Sequence, residues 1–320
     1  MIETRTLGGS GLTTPPLVFG GNVFGWTVDA RQSFEILDAF VDGGGTMIDT
    51  ADSYSAFVPG NVGGESETII GQWLECSGKR KQVSIATKVG MLDGAGGSGL
   101  KPSRIAAAVE ESLNRLRTDA IDLYFAHRDD PATPLEESLE AFDALVRSGK
   151  VRAIGASNFT ADRLAEALRI SDANGWARFT VLQPHYNLIE RTGFEGALQD
   201  LCAKENIGVI PYFGLASGYL TGKYRSQNDL ANRARRGLLE KYMEGTGPAI
   251  LATMDEIAAE TGASLAAIAL SWLAAQPAVT APIASATSLS QLDELLASMQ
   301  LRLSEDQVER LDRAGATAPA

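Results

Sequence analysis

The stretch VSIATKVGMLDGAGGSGLKPSRIAAAVEESLNRLRTDAIDLYFAH, residues 83–127, carries two short apolar runs on either side of a longer amphipathic one. The outer runs, 83–89 and 120–127, have the length and the β-branched and aromatic residues of buried strands. The middle run begins near Pro102, whose missing N–H costs nothing in the first helical turn. Its apolar side chains fall on one helical face: Ile105, Val109, Leu113 and Leu116. The stretch therefore predicts a strand–helix–strand unit.

The same alternation recurs along the chain. Eight candidate strands can be counted: PLVFGG from Pro16, TMIDTA from Thr46, VSIATKV from Val83, AIDLYFAH from Ala120, VRAIGASN from Val151, TVLQPHYN from Thr180, GVIPYFG from Gly208 and TAPIASA from Thr280. Amphipathic segments of helical period separate them. Strands this apolar predict a parallel sheet buried on both faces, and closure achieves that burial. We expect an α/β fold, a (β/α)8 TIM barrel, as a single domain over residues 1–320.

The two ends of the chain predict additions to the barrel. TRTLGGSGLTTPPL, from Thr4, has short runs around Gly-Gly-Ser-Gly and predicts a β-hairpin that plugs the barrel bottom. Ser304 and Gln307 have the spacing of a capping box, which predicts a C-terminal helix through Ala314. The long gap from Leu215 to Pro248 is of a length typical of functional loops.

The amino-acid composition limits the classes of molecule that the protein is expected to bind. The formal net charge of −12 disfavours nucleic acid and anionic membrane surfaces, which attract clustered Lys and Arg. The apolar stretch from Ser264 to Ala284 is interrupted by Gln276 and Pro277, which favours a packed helix followed by a strand over a membrane span. Two cysteines and an N-terminus without a signal-peptide layout indicate a cytoplasmic protein.

Four polar residues stand where parallel strands should end. Asp49, Lys88 and His127 end the second, third and fourth strands, and Tyr54 lies in the turn after Asp49. Singly, each has an ordinary structural explanation: a helix cap, a solvated charge, a satisfied core imidazole or a rim aromatic. Together they converge on the mouth of the barrel, where the active sites of this fold lie, and their roles are complementary.

Carbonyl reduction would use this set. Hydride addition leaves an alkoxide, which needs a proton as its charge develops. A phenol such as Tyr54 is a weak acid unless a nearby cation stabilises its phenolate, and Lys88 can supply that cation while Asp49 keeps it charged. His127 can donate a hydrogen bond to the carbonyl oxygen. Because no side chain is a hydride donor, a cofactor must be. A metal-dependent hydrolase is disfavoured, because the chain has two His.

Seven segments resemble the aldo-keto reductase superfamily, in order and across essentially the whole chain: MIDTADSY, GGESETIIG, ATKVG, IDLYFAHRDDP, GKVRAIGASNF, LQPHYNLIER and SGYLTGKY. The resemblance implies reversible hydride transfer from NADPH, in preference to NADH, to an aldehyde, ketone or sugar-like carbonyl. It implies that Tyr54 is the general acid, that Lys88 and Asp49 lower its effective pKa, and that His127 orients the substrate. The alternative is a non-catalytic NADP(H)-binding regulatory protein resembling the potassium-channel beta subunits.

The resemblance also implies cofactor contacts. Ser157, Asn158 and Gln183 match residues that bind the nicotinamide carboxamide, and Tyr212 matches the aromatic residue that stacks on the nicotinamide ring. Gln183 as an interior hydrogen bonder and Tyr212 as a core aromatic remain the alternatives. The further expected contacts are Asn22, Val23, Asp49, Phe213, Leu215, Ser217, Gly218, Leu220, Lys223, Arg233, Ser285, Thr287, Gln291 and Glu294. His185 is expected to fill strand six.

This sequence departs from the family pattern at the adenosine end. Many members have Arg where Thr287 stands, and that Arg would grip a 2′-phosphate, so its absence weakens the preference for NADPH. Three arginines of the long loop, Arg233, Arg235 and Arg236, either replace it or form a solvated face. Many members also have Asn at Leu295, and Tyr-Ser-Pro-Leu at residues 212–215.

The substrate pocket is expected between the loops after the first three strands. Trp26, Phe57, Tyr54 and His127 are its expected lining, with the Gly-rich stretch Met91 to Gly99 as a further wall. Aromatic walls suit sugars and aromatic aldehydes alike.

Overall fold

The computed structural model of the protein describes residues 2–230 and 236–316. Within them a two-stranded antiparallel hairpin, β1 (Arg5–Thr6) and β2 (Thr13–Thr14), precedes an eight-stranded parallel sheet. The strands of that sheet are β3 (Val18–Gly20), β4 (Met47–Asp49), β5 (Ser84–Val89), β6 (Ile121–Ala126), β7 (Val151–Ser157), β8 (Phe179–Gln183), β9 (Gly208–Val209) and β10 (Ile283–Ala284). All eight predicted strands are confirmed.

The sheet closes on itself. Its order is β10-β3-β4-β5-β6-β7-β8-β9, so each strand from β3 to β8 pairs with the next strand in the chain. The two ends meet where Val209 pairs with Val279 and where the Ile283 amide donates to the Pro211 carbonyl over 2.9 Å. These contacts join β9 to the segment that carries β10 and confirm the predicted (β/α)8 barrel.

Eleven helices of the described chain surround the strands. They are α1 (Ala30–Asp42), α2 (Glu65–Ser77), α3 (Pro102–Leu116), α4 (Leu135–Arg147), α5 (Ala161–Asn174), α6 (Ala197–Lys204), α7 (Arg236–Glu244), α8 (Gly247–Thr261), α9 (Leu265–Ala275), α10 (Leu289–Ser298) and α11 (Glu305–Gly315). Pro102 lies in the first turn of α3, as predicted. Helix α11 begins with the predicted capping box, in which Ser304 and Gln307 bond each other's backbone N–H.

The predicted hairpin closes the bottom of the barrel. Leu7 and Leu12 from this hairpin are buried in the same cluster as the inward-facing side chains of the strands. Gly8 makes this approach possible, because a Cβ there would lie 2.2 Å from the backbone nitrogen of Gly208. With the bottom filled, the opposite end, where the strands finish, remains for a ligand.

The described helices are short or carry charged residues. None of them alone is both long and apolar enough to cross a bilayer. Helices α8 and α9 would meet the length and composition test as a pair, but they bend by 100° at their break.

Candidate active site

The four predicted catalytic residues come together at the C-terminal ends of neighbouring strands. Asp49 ends β4, Lys88 lies in β5, and His127 follows β6 directly. Tyr54 lies in the turn after β4, where its amide donates to the Ala51 carbonyl. Because β4, β5 and β6 are adjacent in the sheet, their ends deliver these side chains to one side of the barrel mouth.

Lys88 is the centre of the group. Its side chain is wholly buried, and its Nζ donates to Asp49 Oδ2 at 2.6 Å, to the Thr50 carbonyl at 2.7 Å and to the Tyr54 hydroxyl at 2.7 Å. An ammonium has three protons, so each of them has an acceptor. A buried ammonium satisfied in this way is held in one position.

Asp49 is held from two sides. Gln183 Nε2 donates to Oδ1 over 2.8 Å, while Lys88 occupies Oδ2, which also accepts from the Tyr54 hydroxyl over 3.2 Å. Gln183 therefore helps to hold the Asp49 carboxylate in place. This hydrogen bond agrees with the alternative interpretation of Gln183 as an interior hydrogen bonder.

The pKa of Tyr54 differs from the expectation that Lys88 and Asp49 lower it. Burial raises the pKa of the Tyr54 phenol well above its ordinary value, and the adjacent Asp49 carboxylate raises it further. Burial also lowers the pKa of Lys88, opposed by Asp49. The phenol consequently holds its proton at neutral pH, which is the protonation state that a general acid needs before it acts.

His127 lies beside Tyr54 as a neutral imidazole. The two rings meet edge to face with centroids 6.0 Å apart, and His127 Nδ1 lies 3.4 Å from Ser53 Oγ. Burial, the Lys88 charge and the Arg128 charge together lower the pKa of His127 well below its ordinary value. A neutral imidazole can donate one hydrogen bond to a substrate oxygen without adding a charge.

These residues open onto a cavity of about 690 Å³, a volume typical of ligand sites. Most predicted contacts line it: Asn22, Val23, Asp49, Tyr54, Phe57, Met91, His127, Ser157, Asn158, Gln183, Tyr212, Phe213, Leu215, Ser217, Gly218, Lys223, Ser285, Thr287, Gln291 and Glu294. The cavity thus runs from the catalytic group to the N-terminal part of α10. Residues at or just after the ends of all eight strands of the barrel line it, with Met91 following β5.

Asn158 and Tyr212 form one wall. Asn158 adopts a left-handed conformation with φ of 58°, which turns its side chain back toward the barrel. The Tyr212 hydroxyl donates to Asn158 Oδ1 over 2.7 Å, and Asn158 Nδ2 donates to the His127 carbonyl over 3.0 Å. His185 stacks on Tyr212 at 5.2 Å between ring centroids. This histidine therefore supports the aromatic wall, beyond the filling role expected for it.

Residues 216–218 form a turn suited to an anionic group. Ala216, Ser217 and Gly218 have consecutive positive φ values of 47°, 57° and 90°. Within this turn the Ala216 and Gly218 amides donate to the Phe213 and Leu215 carbonyls, over 2.7 Å and 2.8 Å. Ser217 Oγ is buried without a hydrogen-bond partner in the described part of the chain, and Lys223 is an exposed cation on the same cavity. An unsatisfied hydroxyl next to a cation fits the phosphate groups of a dinucleotide.

Some expected residues lie elsewhere. Leu220 is wholly buried in the core, and Trp26 packs edge-on behind Phe57 at 5.1 Å between centroids, so neither belongs to the cavity wall. Arg233 and Arg235 lie outside the described residues, and Arg236 begins α7 with its side chain undescribed.

Six residues of the wall were not among the expected contacts: Gly20, Thr221, Ala266, Ile283, Ala284 and Leu295, the last of which was noted only as a departure from the family pattern. Small or apolar residues carry no chemical signal. Gly20 had the best clue, since it ends a predicted strand, and a Cβ there would come within 2.5 Å of Ser285 Oγ. The six therefore had to be found from the fold.

The barrel with this polar group at its mouth defines a class of oxidoreductases, and the comparison with known families agrees. The model of the aldo/keto reductase family matches residues 16–316. The chain belongs to the aldo/keto reductase family. Among the described residues there is no group of three or more His, Cys, Asp or Glu that could hold a metal.

Relatives match over nearly their full length. An "Uncharacterized oxidoreductase YrpG" of Bacillus subtilis (strain 168) is 34% identical, covering 97% of this chain and 95% of the relative. The "Aldo-keto reductase AMT2" of Alternaria alternata is 31% identical over 96% of this chain and 90% of the relative. A "Probable voltage-gated potassium channel subunit beta" of Arabidopsis thaliana is also 31% identical, over 92% and 90%.

Proposed function

We propose that the protein is an NADPH-dependent reductase of aldehydes, ketones or sugar-like carbonyls that acts reversibly with Tyr54 as the general acid. The observation that carries this proposal is the 2.7 Å hydrogen bond from the Lys88 ammonium to the Tyr54 hydroxyl at the cavity wall. An ammonium at this distance stabilises the phenolate that remains once the proton has left. Family membership makes carbonyl reduction the natural chemistry for it.

The protein's own residues divide the work. The carbonyl oxygen lies between Tyr54 and His127, and His127 orients it with a hydrogen bond from its neutral ring. Tyr54 then delivers its hydroxyl proton to that oxygen as negative charge develops there. Lys88 and Asp49, which lie 2.6 Å apart, keep their positions during the transfer because Gln183 and Thr50 fix them. The dihydronicotinamide, when bound, supplies the hydride.

The residues fit a nicotinamide dinucleotide. Ser157, Asn158 and Gln183 would hold its carboxamide end near the catalytic group, and Tyr212 would stack on its ring. Ser217, Gly218 and Lys223 would hold its phosphates, and Thr287, Gln291 and Glu294 would face the adenosine. Thr287 is uncharged, so the cation that would bond the 2′-phosphate of NADPH has to come from another residue.

One experiment tests the activity. The full chain is mixed with NADPH or NADH and 4-nitrobenzaldehyde, and loss of dihydronicotinamide absorbance is followed. Steady turnover, faster with NADPH, is expected. Absence of turnover over a panel of aromatic, aliphatic and sugar aldehydes would overturn the proposal.

We place the reaction in the cytoplasm on the basis of the composition and of Cys76 and Cys202, which are both free thiols.

The second candidate is a non-catalytic, NADP(H)-binding regulatory protein. It is favoured by the relative of Arabidopsis thaliana whose printed name is a channel subunit. Tight binding of NADPH, measured by nicotinamide fluorescence, without turnover over the same carbonyl panel would select this candidate.

A further inference from the structure

Arg104 is a fully buried arginine outside the cavity, and it contacts the loop that follows β5. It lies in the first turn of α3, and its side chain has no exposed surface. Its guanidinium donates to the Leu92 carbonyl at 3.2 Å and to the Ala95 carbonyl at 3.0 Å. These two carbonyls belong to residues 91–99, here called the glycine loop, which also contributes Met91 to the cavity wall. Arg104 therefore holds the glycine loop in place from beneath.

The same guanidinium faces the turn that carries Tyr54. Arg104 Nη2 lies 3.5 Å from Asp52 Oδ2, and both side chains are fully buried. Neither carboxylate oxygen of Asp52 has a hydrogen-bond partner within the described chain, and the Asp52 amide donates to the Lys88 carbonyl over 3.3 Å. A buried carboxylate whose near partner is one guanidinium is costly to keep, so its position depends strongly on that contact.

The Tyr54 turn and the glycine loop are separate segments of the chain, since the turn follows β4 and the loop follows β5. Arg104 is a group that touches both. Its remaining bonds run to Glu111 of the same helix, at 3.3 Å and 3.1 Å, which fixes the guanidinium plane. The guanidinium is planar and its donors are fixed relative to one another. If one loop moves, Arg104 cannot keep its contacts with the other loop unless that loop moves too, whereas a flexible ammonium could adjust.

We propose that Asp52 and Arg104 are a positioning pair that couples the Tyr54 turn to the glycine loop, so that capture of the carbonyl substrate, but not of the cofactor, depends on their contact. The inference rests on the proposed reductase function. Neither residue lines the cavity, so both act through the segments that they hold. Most of the expected cofactor contacts come from β7, β8 and the chain after β9 and β10, which the pair does not touch.

The charges around Asp52 make the contact dependent on pH. Burial and the Glu67 carboxylate raise the pKa of Asp52 to about 7, opposed by Arg104 and Arg115. The other titratable groups that face this cluster are Glu111 beside Arg104, Lys88 of β5 and Tyr124 of β6. Below neutral pH Asp52 is protonated and its attraction to Arg104 is weak. Above neutral pH it is ionised and the pair is tight, so substrate capture improves as the pH rises.

A kinetic comparison tests the pair. The ratio of kcat/KM for 4-nitrobenzaldehyde, native protein over Asp52→Asn, should rise about fivefold between pH 6 and pH 8, the size of a modest positional coupling. The dissociation constant of NADPH should be the same in both proteins at both pH values. Asp122→Asn is the matched control. Asp122 is also buried and is paired with two arginines, Arg80 and Arg152, but it lies near the N-terminal end of β6, away from the mouth of the barrel. Its ratio should stay flat.

A measurement without turnover separates this proposal from the reductase function. Hydrogen exchange at pH 8 should be faster in Arg104→Lys than in the native protein for residues 51–57 and 91–99, and unchanged for 151–157, because an ammonium cannot keep all the contacts of the guanidinium with Leu92, Ala95 and Asp52. If no carbonyl is reduced but the exchange differs, the reductase function fails and the coupling stands. Arg104→Lys should keep the native affinity for NADPH, and if it does not fold, the kinetic ratio of Asp52→Asn tests the pair. A flat kinetic ratio, or native exchange rates in the folded variant, would overturn the proposal.

Discussion

Lys88 donates a 2.7 Å hydrogen bond from its buried ammonium to the hydroxyl oxygen of Tyr54, across the gap between β5 and the turn after β4. The same hydroxyl is 3.2 Å from Asp49, whose carboxylate favours the protonated phenol. The phenol thus lies between a group that stabilises its neutral form and a group that stabilises its anion. In the proposed reaction, this balance would let one residue give up a proton in reduction and accept it in the reverse direction.

Replacing Tyr54 by Phe should remove the acid and keep the ring. Turnover of 4-nitrobenzaldehyde should fall about 100- to 10,000-fold, the usual contribution of a positioned general acid. The dissociation constant of NADPH should stay within about twofold of the native value, because Tyr54 is not among the residues expected to bind the cofactor. Stopped-flow and fluorescence titration measure the two quantities. Equal turnover in the variant would exclude Tyr54 as the acid.

Replacing Asp49 by Asn should destabilise the fold. The Lys88 ammonium and the Asp49 carboxylate lie 2.6 Å apart and are 0% and 2% exposed, so the change leaves a buried cation without its counter-charge. Losing one member of such a pair costs about 3–5 kcal/mol of unfolding free energy. Asp42→Asn is the matched control, because Asp42 pairs with Lys79 at 3.0 Å but is 72% exposed. Its cost should be under about 1 kcal/mol by urea denaturation, and equal costs would contradict the buried-pair argument.

Much of this site could be predicted from the sequence, for a physical reason. Strand ends in a parallel barrel share one face, so Asp49, Lys88 and His127 could be brought together from their positions after apolar runs. Asp52 could not be found in this way. It looks like an ordinary turn residue in DTADSY, and its burial arises from α2 and α3, which pack over the turn from distant parts of the chain. Trp26 was misplaced for a similar reason, because the path of the loop decides whether Phe57 stands in front of it.

His127 should contribute no ionisation near its ordinary pKa to the pH profile. Burial and the Lys88 charge lower the pKa of His127 well below that value, so the imidazole stays neutral throughout the neutral range. The kcat/KM of native protein and of His127→Gln should therefore have the same shape between pH 6 and pH 8. Gln keeps an N–H donor, whereas His127→Ala removes it and should lower kcat about 100-fold. A native inflection near pH 6.5 that disappears in His127→Gln would show that the histidine titrates.

Introducing Arg at Thr287 should shift the choice of cofactor toward NADPH. Thr287 lines the cavity, where its hydroxyl donates to Gln291 Oε1 over 3.1 Å, and it brings no positive charge. A guanidinium there can bond a 2′-phosphate, which should tighten NADPH about tenfold relative to NADH. Ser290→Arg adds the same charge on an exposed position of α10 outside the cavity and serves as the control. If both variants change the ratio of dissociation constants equally, the 2′-phosphate does not lie at Thr287.

Asp52 should make its own contribution to the pH dependence of stability. Its pKa is raised to about 7 in the folded protein, while the unfolded chain has an ordinary aspartate, so between these two values the unfolded state releases a proton that the folded state keeps. Stability from Asp52 is thus fully present below the unfolded pKa and is lost as the pH rises toward 7. Because Asn does not titrate, the unfolding free energy of Asp52→Asn minus that of the native protein should increase by about 1.4 kcal/mol per pH unit from pH 5 to pH 6.5 and level off above pH 7. Urea denaturation at fixed ionic strength measures this difference. Asp122→Asn supplies the control, and a constant difference over the whole range for Asp52→Asn would mean that the carboxyl ionises normally where it is buried.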